Sequence, residues 1–180
     1  MFFFDSYLQT VINYDFINIF SFKELTQIPK LKKIVLNFGY QKSNFKSFLY
    51  SMLALEFISL KKGKLTKSRY LNICLKIKKG NPVGYKVILE KNAMNSFFIK
   101  LGTSIFSKIK YSQTPKIQWN VKLLKAISFQ IKNPLLFKEL ESQFPIFKNL
   151  KRLDVTLITT CRSQKELCFY SKSTKFWIKH

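Results

Sequence analysis

The chain is poor in the residues that carry out chemistry. In 180 residues it has one histidine, His180 at the last position, three cysteines without a CxxC pair, and nine acidic residues. Without an internal histidine, neither a Ser-His-Asp nor a Cys-His arrangement has a base, and no cluster has the spacing of metal ligands. The phosphate-loop pattern GxxxxGK[ST] is absent as well. The sequence therefore predicts a protein that is not an enzyme and that needs no cofactor or metal.

Long apolar runs and linkers are also missing. No stretch approaches the 18 uninterrupted apolar residues of a membrane span, and the start MFFFDSYLQT lacks the basic region of a secretory signal. No Gly/Ser-rich linker or internal repeat divides the chain. We therefore expect one domain over residues 1–180, with a helical part over 1–26 and a body of sheet and helices over 27–180.

Positive charge is what the chain has in excess. It carries 32 Lys and Arg against nine acidic residues, which gives a net charge of +23. The chain is nevertheless 47% hydrophobic, which is enough to form a folded core. A compact body with this charge repels itself unless a polyanion neutralises it, and nucleic acid is the first candidate, with an anionic membrane surface second. Only Arg69, Arg152 and Arg162 are arginine, and Phe, Ile and Asn are frequent. This bias towards A- and T-rich codons indicates an organellar genome.

The periodicity of the apolar residues predicts both helices and strands. Three- and four-residue spacing is typical of helices, and strict alternation is typical of strands. Helices are expected over residues 4–20, 45–60 and about 92–109, and strands over 30–39 and 152–160. Strands separated by helices indicate an α+β fold, with an antiparallel sheet, helices packed on one face, and the other face basic and open to RNA.

A lysine-rich hairpin is expected over residues 75–89, LKIKKGNPVGYKVIL. Two alternating strands flank GNPVG, in which Pro82 restricts one dihedral angle and two glycines permit the reversal. One face of this hairpin is apolar and the other carries lysines. A basic loop, KKGKLTKSRY over 61–70, comes before it.

Three blocks of the chain resemble the family of large-subunit ribosomal protein five. The stretch LTKSRYLNICLKIKKGNPVGYKVIL (65–89) is similar to the family's T-K-A-R segment followed by K-I-R-x-G-x-P-I-G-x-K-V-T-L. QIPKLKKIVLNFG (27–39) resembles its V-P-x-x-x-K-I-x-L-N-x-G, and RLDVTLITTCRS (152–163) resembles its G-L-D-I-T-I-T-T-T-A-K-S. The ending FWIKH is similar to its closing F-P-F-R-K. The blocks keep their order across nearly the whole chain.

The resemblance implies a structural protein in the central protuberance of the large ribosomal subunit. Its implied partners are large-subunit rRNA, 5S rRNA where the ribosome has one, peptidyl-site tRNA, and neighbouring ribosomal proteins including the small-subunit head. Drift from the family pattern, together with the codon bias, indicates a mitochondrial member, so the expected location is the mitochondrial ribosome.

Eleven residues are expected to contact RNA. Asn37 and Thr66 match polar residues of the family motifs, and Tyr70 is the one aromatic kept as a possible base stacker. Lys61 and Ile88 stand where the family has a glutamine and a threonine associated with 5S contact. Alternation in the hairpin aligns several of the lysines. The set is Asn37, Lys61, Lys64, Thr66, Lys67, Arg69, Tyr70, Lys76, Lys78, Lys79 and Lys86.

Two alternatives of other classes stay open from the residues alone. A peripheral membrane protein would use the aromatic N-terminus as an anchor, but residues 4–20 contain no Lys or Arg for the polar face of such a helix. An organellar RNA-processing enzyme, such as an intron maturase fragment, needs acids grouped around a metal. The nine acids are scattered along the chain.

Overall fold

The computed structural model describes residues 6–39, 45–74, 76–106, 108, 118–119 and 125–174. The chain divides into two compact units. Unit 1 comprises Met1–Ile34, Glu90–Phe129 and Thr156–His180, and unit 2 comprises Val35–Leu89 and Gln130–Val155. The single domain expected from the sequence stays a prediction.

Helices and strands alternate along the described residues. The helices are α1 (Asn13–Ile19), α2 (Phe45–Ser59), α3 (Lys91–Lys100), α4 (Lys138–Glu141), α5 (Phe144–Phe147) and α6 (Gln164–Ser173). The strands are β1 (Leu31–Gly39), β2 (Lys64–Lys67), β3 (Pro82–Leu89), β4 (Gln118–Trp119), β5 (Ala126–Ile131) and β6 (Leu153–Thr159). Wider π-helical turns precede α1 at Leu8–Ile12 and continue α3 at Leu101–Phe106, and 3-10 turns occur at Leu25–Gln27 and Pro134–Leu136. None of these helices is both long and apolar enough to cross a bilayer.

The strands form one sheet. Six strands of the described residues lie in the order β2-β3-β1-β6-β5-β4, and the β2/β3 and β4/β5 pairs are antiparallel. The α+β class with an antiparallel sheet, predicted from the alternation of strands and helices, is confirmed.

Each long strand buries alternate side chains. On β1 the even-numbered residues from 34 to 38 are buried, whereas Lys33, Val35 and Asn37 are half-exposed. β3 and β6 repeat the pattern, since successive side chains of a strand point to opposite faces. One face of the sheet therefore forms core. That the opposite face is a basic surface open to RNA stays a prediction.

The lysine-rich hairpin differs from the expected one. β3 pairs with β2, in the register Lys64 opposite Lys86 and Thr66 opposite Gly84. β2 lies inside the segment that was expected to be a basic loop. Of the strand expected at 75–79, residue 75 lies outside the described residues, and 76–79 do not form a strand. Residues 68–81 are instead the connection between β2 and β3, called the β2–β3 loop below.

The backbone of the β2–β3 loop explains why no strand forms there. Asn72 and Ile77 exchange two backbone hydrogen bonds of 2.9 and 3.0 Å, and the Lys76 N–H donates to the Ile73 carbonyl over 3.0 Å. The φ of Lys76 is 52°, in the left-handed region, which ends any extended run at that residue. The alternation of lysine and apolar residues is therefore overridden by a tight turn over the described residues 76–78.

Unit 1 contains an aromatic core. Phe16 of α1 is completely buried, and its ring lies 4.9 Å from that of Phe169 in an edge-to-face arrangement. Phe20 and Phe22 extend the same cluster. Phe16 and Phe20 of the predicted N-terminal helix thus pack against Phe169 of α6. Residues 4 and 5 of that prediction lie outside the described residues.

The three cysteines are free thiols in different surroundings. Cys161 is buried, Cys168 is half-buried, and Cys74 in the β2–β3 loop is exposed. Burial raises the pKa of Cys161 to about 11, so this thiol stays protonated near neutral pH.

Candidate nucleic-acid interface

Strands β2 and β3 present two lysines side by side. Lys64 lies directly opposite Lys86 in the antiparallel register, and directly opposed residues share one face of a sheet. Tyr85 and Val87 on either side of Lys86 are buried, so the Lys86 side chain points away from the core. Lys64 is exposed and Lys86 half-exposed. Two cations are therefore held close together on the surface by the backbone register itself.

Gly84 allows the neighbouring strands to come close. A Cβ at this position would lie 2.6 Å from the Phe38 carbonyl oxygen and 2.7 Å from the Thr66 hydroxyl oxygen. Any side chain there would push β1 or β2 away. Thr66 is thereby held beside β3, on the same face as Lys64 and Lys86.

Asn37 lies on β1 next to this pair. Its amide Nδ2 is 3.5 Å from Oδ2 of Asp154 on β6, and its Oδ1 lies 3.5 Å from the position of a Cβ on Gly84. The carboxylate accepts only weakly at that distance, so the half-exposed amide remains accessible for a further partner.

Lys61 is held against the end of β3. Its ammonium Nζ donates to the carbonyl oxygen of Ile88 over 3.0 Å. Lys61 and Ile88 are the two positions at which the chain lacks a polar residue of the family pattern, and the structure brings them together. At position 61 an ammonium group replaces the amide of the family's glutamine, and an ammonium group suits a phosphate better than a base edge.

A buried hydrogen-bond relay supports the lysine-rich segment after α2. The Tyr85 hydroxyl donates to Oε1 of Glu56 over 2.7 Å and accepts from the Gly63 N–H over 2.7 Å. Burial raises the pKa of Tyr85, and the hydrogen bond to Glu56 raises it further. This relay joins α2, β3 and the turn that leads into Lys64.

The relay was not predicted from the sequence, although one signal for it was present. Glu56 is the only acid in α2, where it is surrounded by apolar residues. A lone carboxylate in an otherwise apolar helix requires a hydrogen-bond donor.

The β2–β3 loop carries the remaining candidates on its surface. Arg69, Lys76, Lys78 and Lys79 are exposed, and the Tyr70 side chain is 80% exposed. Lys76 and Lys78 do not share a strand face with Lys86, so the expected alignment of those three lysines is wrong. The loop holds its cations on turns instead.

Ten of the eleven candidates fall into two groups. Lys67, at the end of β2 where the pairing register shifts, lies between them. The edge set consists of Asn37, Lys61, Lys64, Thr66 and Lys86, and the loop set of Arg69, Tyr70, Lys76, Lys78 and Lys79. Within the described part of the chain, no three His, Cys, Asp or Glu side chains lie close enough together to hold a metal ion.

The chain is similar to ribosomal proteins over most of its length. It is 32% identical over 161 residues to "Large ribosomal subunit protein uL5m" of Reclinomonas americana, which covers 88% of this chain and 87% of that protein. It is 30% identical to uL5 of Wigglesworthia glossinidia brevipalpis, with 83% of each chain covered. For uL5c of Chlorokybus atmophyticus the identity is 27%, over 82% of this chain and 80% of the relative. No family model matches the chain. From these full-length similarities, the chain belongs to the uL5 family of large ribosomal subunit proteins.

Proposed function

We propose that this chain binds rRNA in the large subunit of a mitochondrial ribosome, through the edge set and the loop set. Membership of the uL5 family already makes it a structural ribosomal protein and not an enzyme. The proposal adds the RNA partner, the residues that contact it and the organelle.

The main observation in support of RNA binding is the opposed pair Lys64 and Lys86. Like charges directly opposite each other across a strand pair destabilise the free protein. A phosphate group next to both ammonium groups turns that repulsion into attraction and releases the counterions of the RNA. Contacts of this kind position the protein on RNA and do not read its sequence.

The edge set suits a folded RNA surface. Asn37 and Thr66 add hydrogen-bonding groups beside the lysine pair, where 2′-hydroxyls and phosphates of an RNA helix are the available partners. The edge set binds 5S rRNA where the ribosome has one, and large-subunit rRNA otherwise. The proposed position, which the motif resemblance supports, is the central protuberance, next to neighbouring ribosomal proteins and the small-subunit head.

The loop set suits a partner that arrives and leaves. Its cations are exposed on turns, and Tyr70 offers an exposed ring for stacking beside Arg69. Ordering such side chains on binding costs conformational entropy, which weakens the contact. The β2–β3 loop therefore reaches towards peptidyl-site tRNA.

Two observations support the mitochondrial location. The lysine-rich, alanine-poor composition indicates an A- and T-rich organellar genome. One of the most similar relatives is a uL5m, although bacterial uL5 and a uL5c lie at comparable identities.

Sedimentation of organelle lysate in high salt, followed by sequencing of RNA crosslinked to the protein, tests the proposal. We expect the protein with the large subunit and crosslinks in rRNA, including 5S rRNA if the ribosome has one. Recovery in light or membrane fractions without rRNA contradicts the proposal.

A pair of double variants tests the residues. Lys64→Gln with Lys86→Gln removes the edge cations, and Lys76→Gln with Lys78→Gln removes an equal charge from the loop. The logarithm of rRNA affinity falls with the logarithm of salt concentration by about 0.9 per phosphate contact in a duplex. We expect the edge variant to reduce this slope by about 1.8 and the loop variant to reduce it less. Equal slopes in wild type and edge variant would show that these lysines do not meet phosphate.

A further inference from the structure

Helix α2 has a stripe of apolar side chains on its outer side. Ala54, Leu55 and Ile58 are buried against the rest of unit 2, as an amphipathic helix requires. The residues Tyr50, Leu53, Phe57 and Leu60 are nevertheless 39%, 40%, 47% and 90% exposed. Their spacing of three and four residues places Tyr50, Leu53 and Phe57 on one line along the helix, about 10 Å long, and Leu60 follows directly after the last helical residue. We call this line the α2 stripe.

Leu60, at the end of the α2 stripe, has a backbone conformation that is unfavourable for leucine. Leu60 follows the last residue of α2 with a φ of 52°, a left-handed conformation that favours glycine. A leucine there is strained, and its side chain is almost completely exposed, so it gains nothing from the fold of the chain. Such a conflict between local preference and the residue present is expected at functional positions.

A second helix widens the apolar surface. The Phe57 ring packs against that of Phe147 in α5, with 6.0 Å between the ring centroids. The same short helix carries Phe144 and Ile146, which are both exposed. Unit 2 therefore exposes several large apolar side chains next to one another, which is the mark of an interaction surface.

The charged residues around the α2 stripe indicate which kind of partner it binds. Residues 47–60 contain no Lys or Arg, so this part of the helix itself offers RNA phosphates no counter-charge. A second copy of this chain would bring another +23 charge against the first. Exposed lysines lie at both ends, with Lys46 one turn before Tyr50 and Lys62 just after Leu60. Glu139 and Glu141 of α4 already have partners in the chain.

We infer that the α2 stripe binds an amphipathic helical segment of another protein of the ribosome, with acidic residues at both ends of its apolar face. Leucine- or phenylalanine-type side chains at three- and four-residue intervals pack along the stripe, and the flanking carboxylates face Lys46 and Lys62. This inference does not depend on the proposed RNA contacts, which are made by Lys61, the strands and the β2–β3 loop.

Photocrosslinking in assembled large subunits tests the inference. Tyr50→p-benzoylphenylalanine places a crosslinker on the α2 stripe while keeping an aromatic ring there. We expect a crosslink to one polypeptide segment, whose sequence, read by mass spectrometry, shows the apolar spacing and the flanking acids. Ile73→p-benzoylphenylalanine, at an exposed residue of the β2–β3 loop in the same unit, is the matched control and should not give that crosslink.

A second substitution separates contact from mere proximity. Leu53→Glu adds a negative charge to the α2 stripe and should lower the crosslinking yield from position 50 about tenfold, while the protein still sediments with the large subunit. A crosslink to RNA, to a second copy of this chain or to a segment without acids overturns the inference. Absence of any crosslink at position 50, or an unchanged yield with Leu53→Glu, overturns it as well.

Discussion

The paired strands β2 and β3 and the loop that joins them hold their lysines in different ways. In the strands, the direction of Lys86 follows from its buried neighbours Tyr85 and Val87, and Lys64 is aligned with it by the register. In the β2–β3 loop, hydrogen bonds hold the main chain, but Lys76 and Lys78 remain exposed. Cations on paired strands are therefore positioned before a partner arrives, whereas those of the loop must be ordered by it.

Two glycines of GNPVG show the same contrast. Gly84 has an ordinary strand conformation, and glycine is required there because no side chain fits: a Cβ would lie 2.6 Å from a carbonyl oxygen of β1. Gly80 has nothing within 4 Å of its Cβ position, and its φ of 87° is what requires glycine. It follows Lys79 in a turn closed by the Asn81 N–H donating to the Lys78 carbonyl.

The largest expected effect is that of Gly84→Val. The new side chain has to displace β1 or β2, so we expect the free energy of unfolding to fall by about 3 kcal/mol. Urea unfolding followed by circular dichroism measures the change. Gly80→Asn is the control, since asparagine tolerates the left-handed region and should cost less than about 1 kcal/mol. If both variants lose the same stability, the distinction between the two glycines is wrong.

A smaller effect is expected for Tyr85→Phe. The substitution leaves the Glu56 carboxylate and the Gly63 N–H without their hydroxyl partner, which should cost about 2 kcal/mol of unfolding free energy. Tyr70→Phe in the β2–β3 loop removes an exposed hydroxyl and should leave stability unchanged. Equal losses in the two variants would contradict a structural role for the relay.

Tyr85 also predicts how stability depends on pH. Its pKa in the folded protein is raised by burial and then by Glu56, whereas the unfolded chain loses the proton near pH 10. The contribution of Tyr85 to the free energy of unfolding is therefore fully present below pH 10. It is lost as the pH rises further, because the tyrosine of the unfolded chain releases its proton first. In unfolding measured between pH 9 and 11, Tyr85→Phe should lose stability less steeply than the wild type. Parallel curves would show that Tyr85 does not titrate in this way.

Lys86→Gln should have opposite effects on stability and on binding. Removing one of two opposed cations is expected to raise the free energy of unfolding of the free protein by about 0.2–1 kcal/mol. The same variant should bind rRNA more weakly, because a phosphate contact is lost. Thermal unfolding and filter binding measure the two quantities. Lys79→Gln, in the loop, should leave stability unchanged, and a stability loss in Lys86→Gln would argue against the repulsion.

The smallest effect is expected for Lys76→Gly. Relief of the left-handed conformation, about 1–2 kcal/mol, is largely offset by the greater entropy of glycine in the unfolded chain. Urea unfolding should show a gain of about 0.5 kcal/mol or less. A loss above that size would mean that the Lys76 side chain contributes to the fold and is not only part of the loop set.

Long regular patterns in the sequence predicted their elements well. The strand expected at 152–160 is observed as Leu153–Thr159, and the helix expected at 45–60 is Phe45–Ser59. In both, a repeated side-chain period extends over seven or more residues and matches a buried face. The strand expected at 75–79 rested on a few alternating residues, too few to outweigh the turns that close the β2–β3 loop.

Prediction of the candidate site was correspondingly uneven. The residue types of the site follow from the motif resemblance, but the division into an edge set and a loop set required the strand register. The Glu56–Tyr85–Gly63 relay joins residues up to 29 positions apart, and no sequence period links them. The exposed α2 stripe was likewise not predicted, because this helix has apolar residues on its exposed side as well as on its buried side.

The sequence by itself determined the family, the α+β class, the excess of positive charge and the lack of catalytic groups. These properties depend on residue type and short-range period, which are present in the unfolded chain. Only the tertiary structure decided which segment pairs with β3, which lysines stand side by side, and which side of α2 remains uncovered. Those outcomes depend on contacts between distant segments, where a glycine at one position and a threonine eighteen residues earlier must fit in the same space.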